Sequence, residues 1–357
     1  MVNGNCVIMF GVEVQMISKT SVAVIGAGRM GLRHCNGVLE SNLVNELYVV
    51  DINEASLSNA REQLKKHETQ KINYLLLDNF LKLSNSIEII ILASTAGDRI
   101  GLSNQLLKFN TRYFLIEKPL GQSMEEVNQL LNFFEKQNNC KAFVNLNTRL
   151  YPSYIRLKSD LKSLPQFNGP LTISINTGTV GIGANGIHYI DLLKYLTDAS
   201  HIKIKHASID DFVIPSGRGK EFGDFGGYAI LEYLNSKSEL LATAHLILGS
   251  QTTVLGPWEI VGPNGRILID EFEQTRFNKY RKADSELPVN RYAGDYLPME
   301  TEVFEIPFLN DLTKHWFIQL NNGEYILPTL SETKIVHATM FDWLNHSSKY
   351  KNNFPIT

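Results

Sequence analysis

Up to about residue 147, short and nearly unbroken apolar runs alternate with amphipathic stretches. The runs cover residues 22–25, 47–51, 74–77, 87–92, 113–116 and 142–144. Continuous apolar character is what a strand covered on both faces requires. The clearest amphipathic stretch starts at Ser123, with Glu126 three residues on as a capping box. It places Val127, Leu130, Leu131 and Phe134 on one helical stripe. This alternation predicts a parallel, doubly wound α/β sheet.

The texture changes after residue 150. Helices are predicted over 152–164 and 187–196, then strands at 202–206, 227–234, 240–248, 258–261 and 266–269. Their spacing is too short for crossover helices, so an antiparallel sheet is expected. A last helix is read near 330–345. Residues 216–227, rich in glycine and charge, read as a mobile loop or a long connection. The predicted organisation is an extension over 1–20, a doubly wound domain over 21–147, and a second α/β domain over 148–357. The second domain is expected to hold a large, mostly antiparallel open sheet.

Composition narrows the class. The chain has 357 residues, 43% hydrophobic and 20% charged, with a net charge of -3. That is an ordinary globular balance with room for two domains, and it excludes disorder as the main state. It carries no whole-chain electrostatic footprint for nucleic acid. Cys6, Cys35 and Cys140 are odd in number and widely spaced, which suits neither a disulfide framework nor a metal knuckle. A reduced, cytoplasmic setting is expected. No apolar run reaches the roughly 18 residues a bilayer requires, so no membrane partner is expected. The N-terminal stretch lacks a basic region and carries Glu13, which argues against a signal peptide. A start upstream of Met16 is compatible with this pattern.

The first run leads into Gly26-Ala27-Gly28-Arg29-Met30-Gly31. A strand precedes it, a helix follows, and Asp51 ends the next strand. In that context the spacing is a dinucleotide fingerprint. Gly26 would allow the tight turn, Gly28 a close pyrophosphate, and Gly31 helix–strand packing. Asp51 would take the adenosine ribose hydroxyls. A carboxylate ~4 Å from a 2′-phosphate repels it by about 4 kcal/mol per charge pair at an effective dielectric of 20. No Lys or Arg adjoins Asp51, so NAD is expected rather than NADP. Arg29, Met30 and Ile52 fall beside the same cofactor. Ser94 and Thr95 end a strand where they either touch cofactor or simply turn the chain. Arg33 reads as a solvated helix residue and His34 as structural.

The strand over 113–116 is followed by Glu117-Lys118-Pro119. With the fingerprint, this resembles the Gfo/Idh/MocA family, which includes glucose–fructose oxidoreductase and inositol dehydrogenase. Three further segments resemble family elements in order: 147–152 (NTRLYP), 186–196 (GIHYIDLLKYL) and 258–270 (WEIVGPNGRILID). The resemblance implies a Rossmann domain and an open-sheet domain that often forms the oligomer interface, here as a homodimer or homotetramer. It implies that Lys118 is the proton-transfer residue, with a Lys118–Pro119 bond that is commonly cis. Chemistry requires such a base, because hydride cannot leave a carbinol carbon unless the hydroxyl proton leaves too. A lysine base poised near pH 7 must be lowered by about 3 pH units, or about 4 kcal/mol.

The resemblance also makes His188 a substrate-hydroxyl partner or second acid/base, against a plain reading as a satisfied helix histidine. Asp191, three residues on, would orient it. Inositol-dehydrogenase-like members place an acid four residues before the histidine, where this chain has Ala184, with Asn185 beside it. Asn185 substitutes as a hydrogen-bonding group, or the substrate differs. Glu117 and Asn145 are expected near the cofactor, and Asn147 near substrate. Arg149 is read as a substrate anchor or a domain-interface salt bridge, and Tyr151 as a sugar-ring platform or a core residue. His201 and His206, five apart in a strand, should lie on opposite faces, so no metal site is expected. No GxSxG elbow supports a serine hydrolase.

The function expected is carbinol–ketone interconversion on a sugar, cyclitol or nucleotide-linked sugar, with NAD(P) as cofactor. The GANGIH variant at 183–188 resembles members of bacterial surface-polysaccharide pathways. The rivals are a non-catalytic dinucleotide-binding sensor or regulator, and a reductase of C=C or C=N bonds.

Overall fold

The first apolar run becomes an inner strand of a parallel sheet. The computed structural model describes residues 20–178, 180–215, 222–249, 251–282, 295–346 and 356. The expected extension therefore lies outside the described residues except for Thr20, as do Cys6, Met16 and residues 216–221. The first sheet comprises β1 (Thr20–Ile25), β2 (Val44–Asp51), β3 (Ile72–Leu76), β4 (Ile89–Leu92), β5 (Tyr113–Ile116) and β6 (Lys141–Val144). Its order is β3-β2-β1-β4-β5-β6, and every pairing is parallel. Strand order reverses at β1, which opens a crevice beyond the C-terminal strand ends.

Helices α1 (Arg29–Glu40), α2 (Glu54–Gln63), α3 (Leu77–Phe80), α4 (Arg99–Leu106) and α5 (Met124–Glu135) join these strands. Half of the capping box at α5 is formed: the Ser123 hydroxyl accepts the Glu126 N–H at 3.2 Å, while the Glu126 carboxylate accepts the N–H of Gln122 at 2.8 Å rather than that of Ser123. The stripe Val127, Leu130, Leu131 and Phe134 is buried.

The chain then forms α6 (Pro152–Ser163), β7 (Leu171–Thr177), a π-turn (Gly181–Gly186) and α7 (Ile187–Thr197). The strands β8 (His201–Pro215), β9 (Gly223–Leu234), β10 (Leu240–Leu248), β11 (Trp258–Val261), β12 (Gly265–Asp270), β13 (Thr275–Tyr280) and β14 (Glu300–Val303) follow. With β7 they make an eight-stranded sheet in the order β14-β13-β12-β11-β7-β10-β9-β8. Only the β7–β10 pair is parallel. The fold is thus an N-terminal parallel Rossmann sheet followed by a mostly antiparallel open sheet. Two helices close the described chain, α8 (Leu309–Asn321) and α9 (Lys334–Leu344).

Two expectations are corrected. The loop read over 216–227 ends early, because β9 begins at Gly223 and pairs with β8 from Pro215 inward. Its glycines sit opposite an irregularity of β8 between Ile209 and Val213, as glycines at a bulge do. A second irregularity, between Ile204 and His206, shifts the alternation. His201, Lys203 and His206 then face Leu234, Glu232 and Ile230, so the two histidines share a face rather than opposing each other. Helix α8 was not foreseen. It packs on α1, and Leu312, Trp316, Phe317 and Leu320 join the core of the first sheet.

Candidate functional site

Three glycines serve three different purposes at the start of α1. Gly26 has φ +105, and a Cβ there would lie 2.8 Å from the Ala93 carbonyl carbon. A Cβ at Gly31 would lie 1.8 Å from the Gly26 oxygen, so only glycine lets the helix meet the turn. A Cβ at Gly28 would meet nothing within 4 Å. The backbone there faces open space, which is what close approach of a phosphate requires. Arg29 is exposed at the first turn, with Met30 half-buried beside it. Asp51 closes the turn from the neighbouring strand. Its Oδ2 accepts the Ala27 N–H at 2.7 Å and its Oδ1 the Asn53 N–H at 2.9 Å. Each oxygen keeps a lone pair for a ribose hydroxyl. Ile52 is 82% exposed at the same strand end. These groups fit a dinucleotide. Ser94 and Thr95 lie across the crevice at the end of β4, with Thr95 exposed.

β5 delivers Glu117 and Lys118, and the Lys118–Pro119 bond is cis. Glu117 is 2% exposed. Its Oε1 accepts from His34 Nε2 at 2.8 Å and from Asn145 Nδ2 at 2.7 Å. Burial would raise its carboxyl, but His34, Lys118 and Asn145 together hold it down at about 2. Glu117, His34 and Asn145 thus form a buried hydrogen-bonded network at the ends of β5 and β6. His34 is the hub of that network, because its Nδ1 meets Thr313 Oγ1 of α8 at 2.8 Å.

Arg99, unmarked in the sequence reading, is buried at the start of α4. Its guanidinium donates to the Glu117 and Pro119 carbonyls and, at 3.1 Å, to the Ser94 carbonyl. His337 of α9 accepts the Leu120 N–H at 3.1 Å. The segment carrying Lys118 is thus fixed from two helices.

Lys118 Nζ donates to the Ala184 carbonyl in the π-turn. His188, one turn further along, is near enough that the Lys118 charge acts on it. Burial, and then Lys118, push its imidazole down to about 3, so it is neutral at neutral pH. Its Nδ1 is buried and has no hydrogen-bond partner among the described residues. The structure therefore brings Lys118 and His188 together.

The remaining candidates are partly committed elsewhere. Arg149 Nε and Nη2 fork onto Asp191, with Nε to Oδ2 at 2.9 Å. Asp191 is 1% exposed, and burial raises its carboxyl despite Arg149. Asn185 is exposed and donates to the Val180 carbonyl at 2.9 Å. Asn147 and Tyr151 are half-buried at the exit from β6. The Tyr151 ring lies 5.6 Å from that of Tyr154. Tyr154 and Tyr189 both donate to Glu271, a half-buried carboxylate that follows β12 and that sequence reasoning passed over. Among the described residues, no group of three His, Cys, Asp or Glu could hold a metal ion. No helix among them is long and apolar enough to cross a membrane.

Residues 20–146 match the family model described as oxidoreductase family, NAD-binding Rossmann fold (GFO_IDH_MocA). The matched residues span all six strands of the first sheet. No curated protein sequence matches the chain. Solved structures share the fold over nearly the full length. One is an oxidoreductase from Agrobacterium radiobacter in complex with NAD+, L-tartaric acid and magnesium. It is 12% identical with a TM-score of 0.69, covering 92% of this chain and 96% of that one. Levoglucosan dehydrogenase, in complex with NADH and L-sorbose, is 12% identical with a TM-score of 0.69, covering 93% and 98%. The transcriptional regulator Gal80p from Kluyveromyces lactis is 16% identical with a TM-score of 0.69, covering 93% of each chain.

Proposed function

We propose that this chain is an NAD-dependent oxidoreductase interconverting a carbinol and a ketone on a sugar, cyclitol or nucleotide-linked sugar. One observation carries the reading. The Lys118 amine stands at the C-terminal end of the sheet that bears the glycine fingerprint, held on the Ala184 carbonyl beside a neutral His188.

NAD, when bound, supplies hydride exchange at the nicotinamide. The chain's own residues do the rest. The N-terminus of α1 takes the phosphates on backbone N–H groups. Asp51 takes the ribose hydroxyls and rejects a 2′-phosphate, which favours NAD over NADP. Ile52 offers the adenine an apolar surface. Lys118 gives a proton to the carbonyl oxygen in reduction and accepts the hydroxyl proton in oxidation. His188 turns an uncharged ring nitrogen to a second hydroxyl. Asn147 and Tyr151 line the approach, while Arg149 and Asn185 reach substrate only through donors not already engaged.

Absorbance of NADH, followed with a panel of keto-sugars, keto-cyclitols and nucleotide-linked keto-sugars, tests the reading. Lys118→Ala should still bind NADH and lose about 10²–10⁴-fold in turnover, the span for a missing general acid. A wild type that binds NADH and oxidises it with no panel member overturns the proposal. Support would then pass to a non-catalytic dinucleotide sensor, which Ala184 and the fold shared with Gal80p favour. Turnover with enone or imine substrates alone would instead select a C=C or C=N reductase. A cytoplasmic homodimer or homotetramer through the open sheet face belongs to the same proposal. Ile247 and Val261, 41% and 39% exposed on β10 and β11, support it. A monomer by light scattering at working concentration refutes it.

A further inference from the structure

The carboxylate missing at position 184 has a counterpart on a different strand. Asp224, the second residue of β9, is 5% exposed. It accepts the backbone N–H groups of Gly183 at 3.1 Å, Ala184 at 2.6 Å and Phe225 at 2.7 Å. Two of these belong to the π-turn that leads into His188. The turn is shaped to this carboxylate: Gly181 has φ +62, and a Cβ there would lie 2.3 Å from Asp224 Oδ2. Ala184 is therefore gripped at both ends. Its N–H is on Asp224 and its carbonyl receives Lys118 Nζ.

We propose that Asp224 is the positioning residue of this site: it fixes the Ala184 carbonyl as the acceptor for Lys118, and its negative charge holds Lys118 in the ammonium form, ready to donate. The inference rests on Lys118 as the proton-transfer group. It gives the cross-strand acid the orienting role that the family resemblance places on the histidine helix.

The charges around Asp224 support this. The Lys118 charge acts on Asp224, and it also acts on Glu117 and His188. Glu117 is ionised above about 2, and His188 is neutral above about 3. Burial lifts the Asp224 carboxyl to about 6, against the pull of its three N–H donors and of Lys118. Of Asp224, Glu117 and His188, Asp224 is the one that changes charge nearest neutrality. Above its midpoint it is a carboxylate and favours the lysine proton; below, that support is withdrawn.

The test reads Lys118 directly. The protein is reductively methylated with ¹³C-formaldehyde, and the Lys118 resonance is assigned by its loss in Lys118→Ala. Asp224→Asn should lower the Lys118 midpoint by about one pH unit or more. Asp224→Glu, which keeps the charge, should recover part of that drop. A role confined to bracing the turn would lower the melting temperature and leave the lysine titration unmoved. An unshifted Lys118 midpoint in a folded Asp224→Asn variant overturns the proposal. If that variant does not fold, the reciprocal measurement decides. The Asp224 ¹³C carboxyl midpoint must rise in Lys118→Ala, because coupling is mutual; an unmoved midpoint refutes it. Turnover that persists in Lys118→Ala would remove the proton-transfer assignment, an outcome separate from either titration.

Discussion

Gly28→Ala and Gly31→Ala should fail in different ways, although each adds only one methyl group. At Gly31 the new Cβ would be 1.8 Å from a backbone oxygen that cannot rotate aside. Relief requires the start of α1 to move from β1 by more than 1 Å, roughly the shortfall from a tolerable contact. Overpacking costs about 1–3 kcal/mol and more where backbone must shift, so about 3 kcal/mol is expected here. That is about 4 °C in melting temperature for a chain of 357 residues. At Gly28 there is no such collision, and φ is -72, which alanine adopts freely. Gly28→Ala should melt within about 1 °C of wild type. Its methyl group, however, fills the space where a pyrophosphate would sit. NADH binding should weaken at least about tenfold, equivalent to about 1.4 kcal/mol. Differential scanning fluorimetry reads the first effect, and NADH fluorescence titration the second. A Gly28→Ala protein that binds NADH as tightly as wild type would refute the placement of the phosphates.

Two further outcomes follow from buried charge. His337 titrates at about 4, below its ordinary 6.5, because burial and then Arg99 disfavour its cation against the pull of the Thr333 carbonyl. The unfolded chain takes up a proton near 6.5 that the folded chain refuses, so this stability is complete above pH 6.5 and is lost as pH falls toward 4. About 3 kcal/mol is at stake at this site. Melting temperature should fall steeply between pH 7 and 4.5, less so in His337→Gln; a flat profile in wild type refutes it. Arg149→Ala leaves Asp191, 1% exposed, without its fork and should cost about 3–5 kcal/mol in urea unfolding. Adding Asp191→Asn should restore part of that; no recovery would show that the pair is not the source.

The fingerprint was legible because each glycine answers a backbone constraint that sequence spacing encodes. The same holds for Lys118, set by a strand end and a tripeptide. What the sequence hid was defined by distant partners. His34 reads as an ordinary helix residue, and only the fold brings it to Glu117 and Thr313. Arg99 has no local mark, because its acceptors are carbonyls on other segments. Asp224 was concealed by its neighbours: flanking glycines suggested a loop, whereas they accommodate an irregular strand pair. Arg149 was legible as a choice between substrate and salt bridge, and the structure puts its fork on Asp191.

Helix α8 has a bearing on how the molecule is made. The α1 surface around Gly37 fits it closely, since a Cβ at that glycine would sit 2.3 Å from the Asn310 oxygen. During synthesis the nucleotide-binding half leaves the ribosome long before the segment that covers this surface. A nascent chain must therefore carry an uncovered greasy flank through most of translation, and a fragment cut after the sixth strand would inherit that flank permanently. The chain's two halves are consecutive in sequence but are finished together.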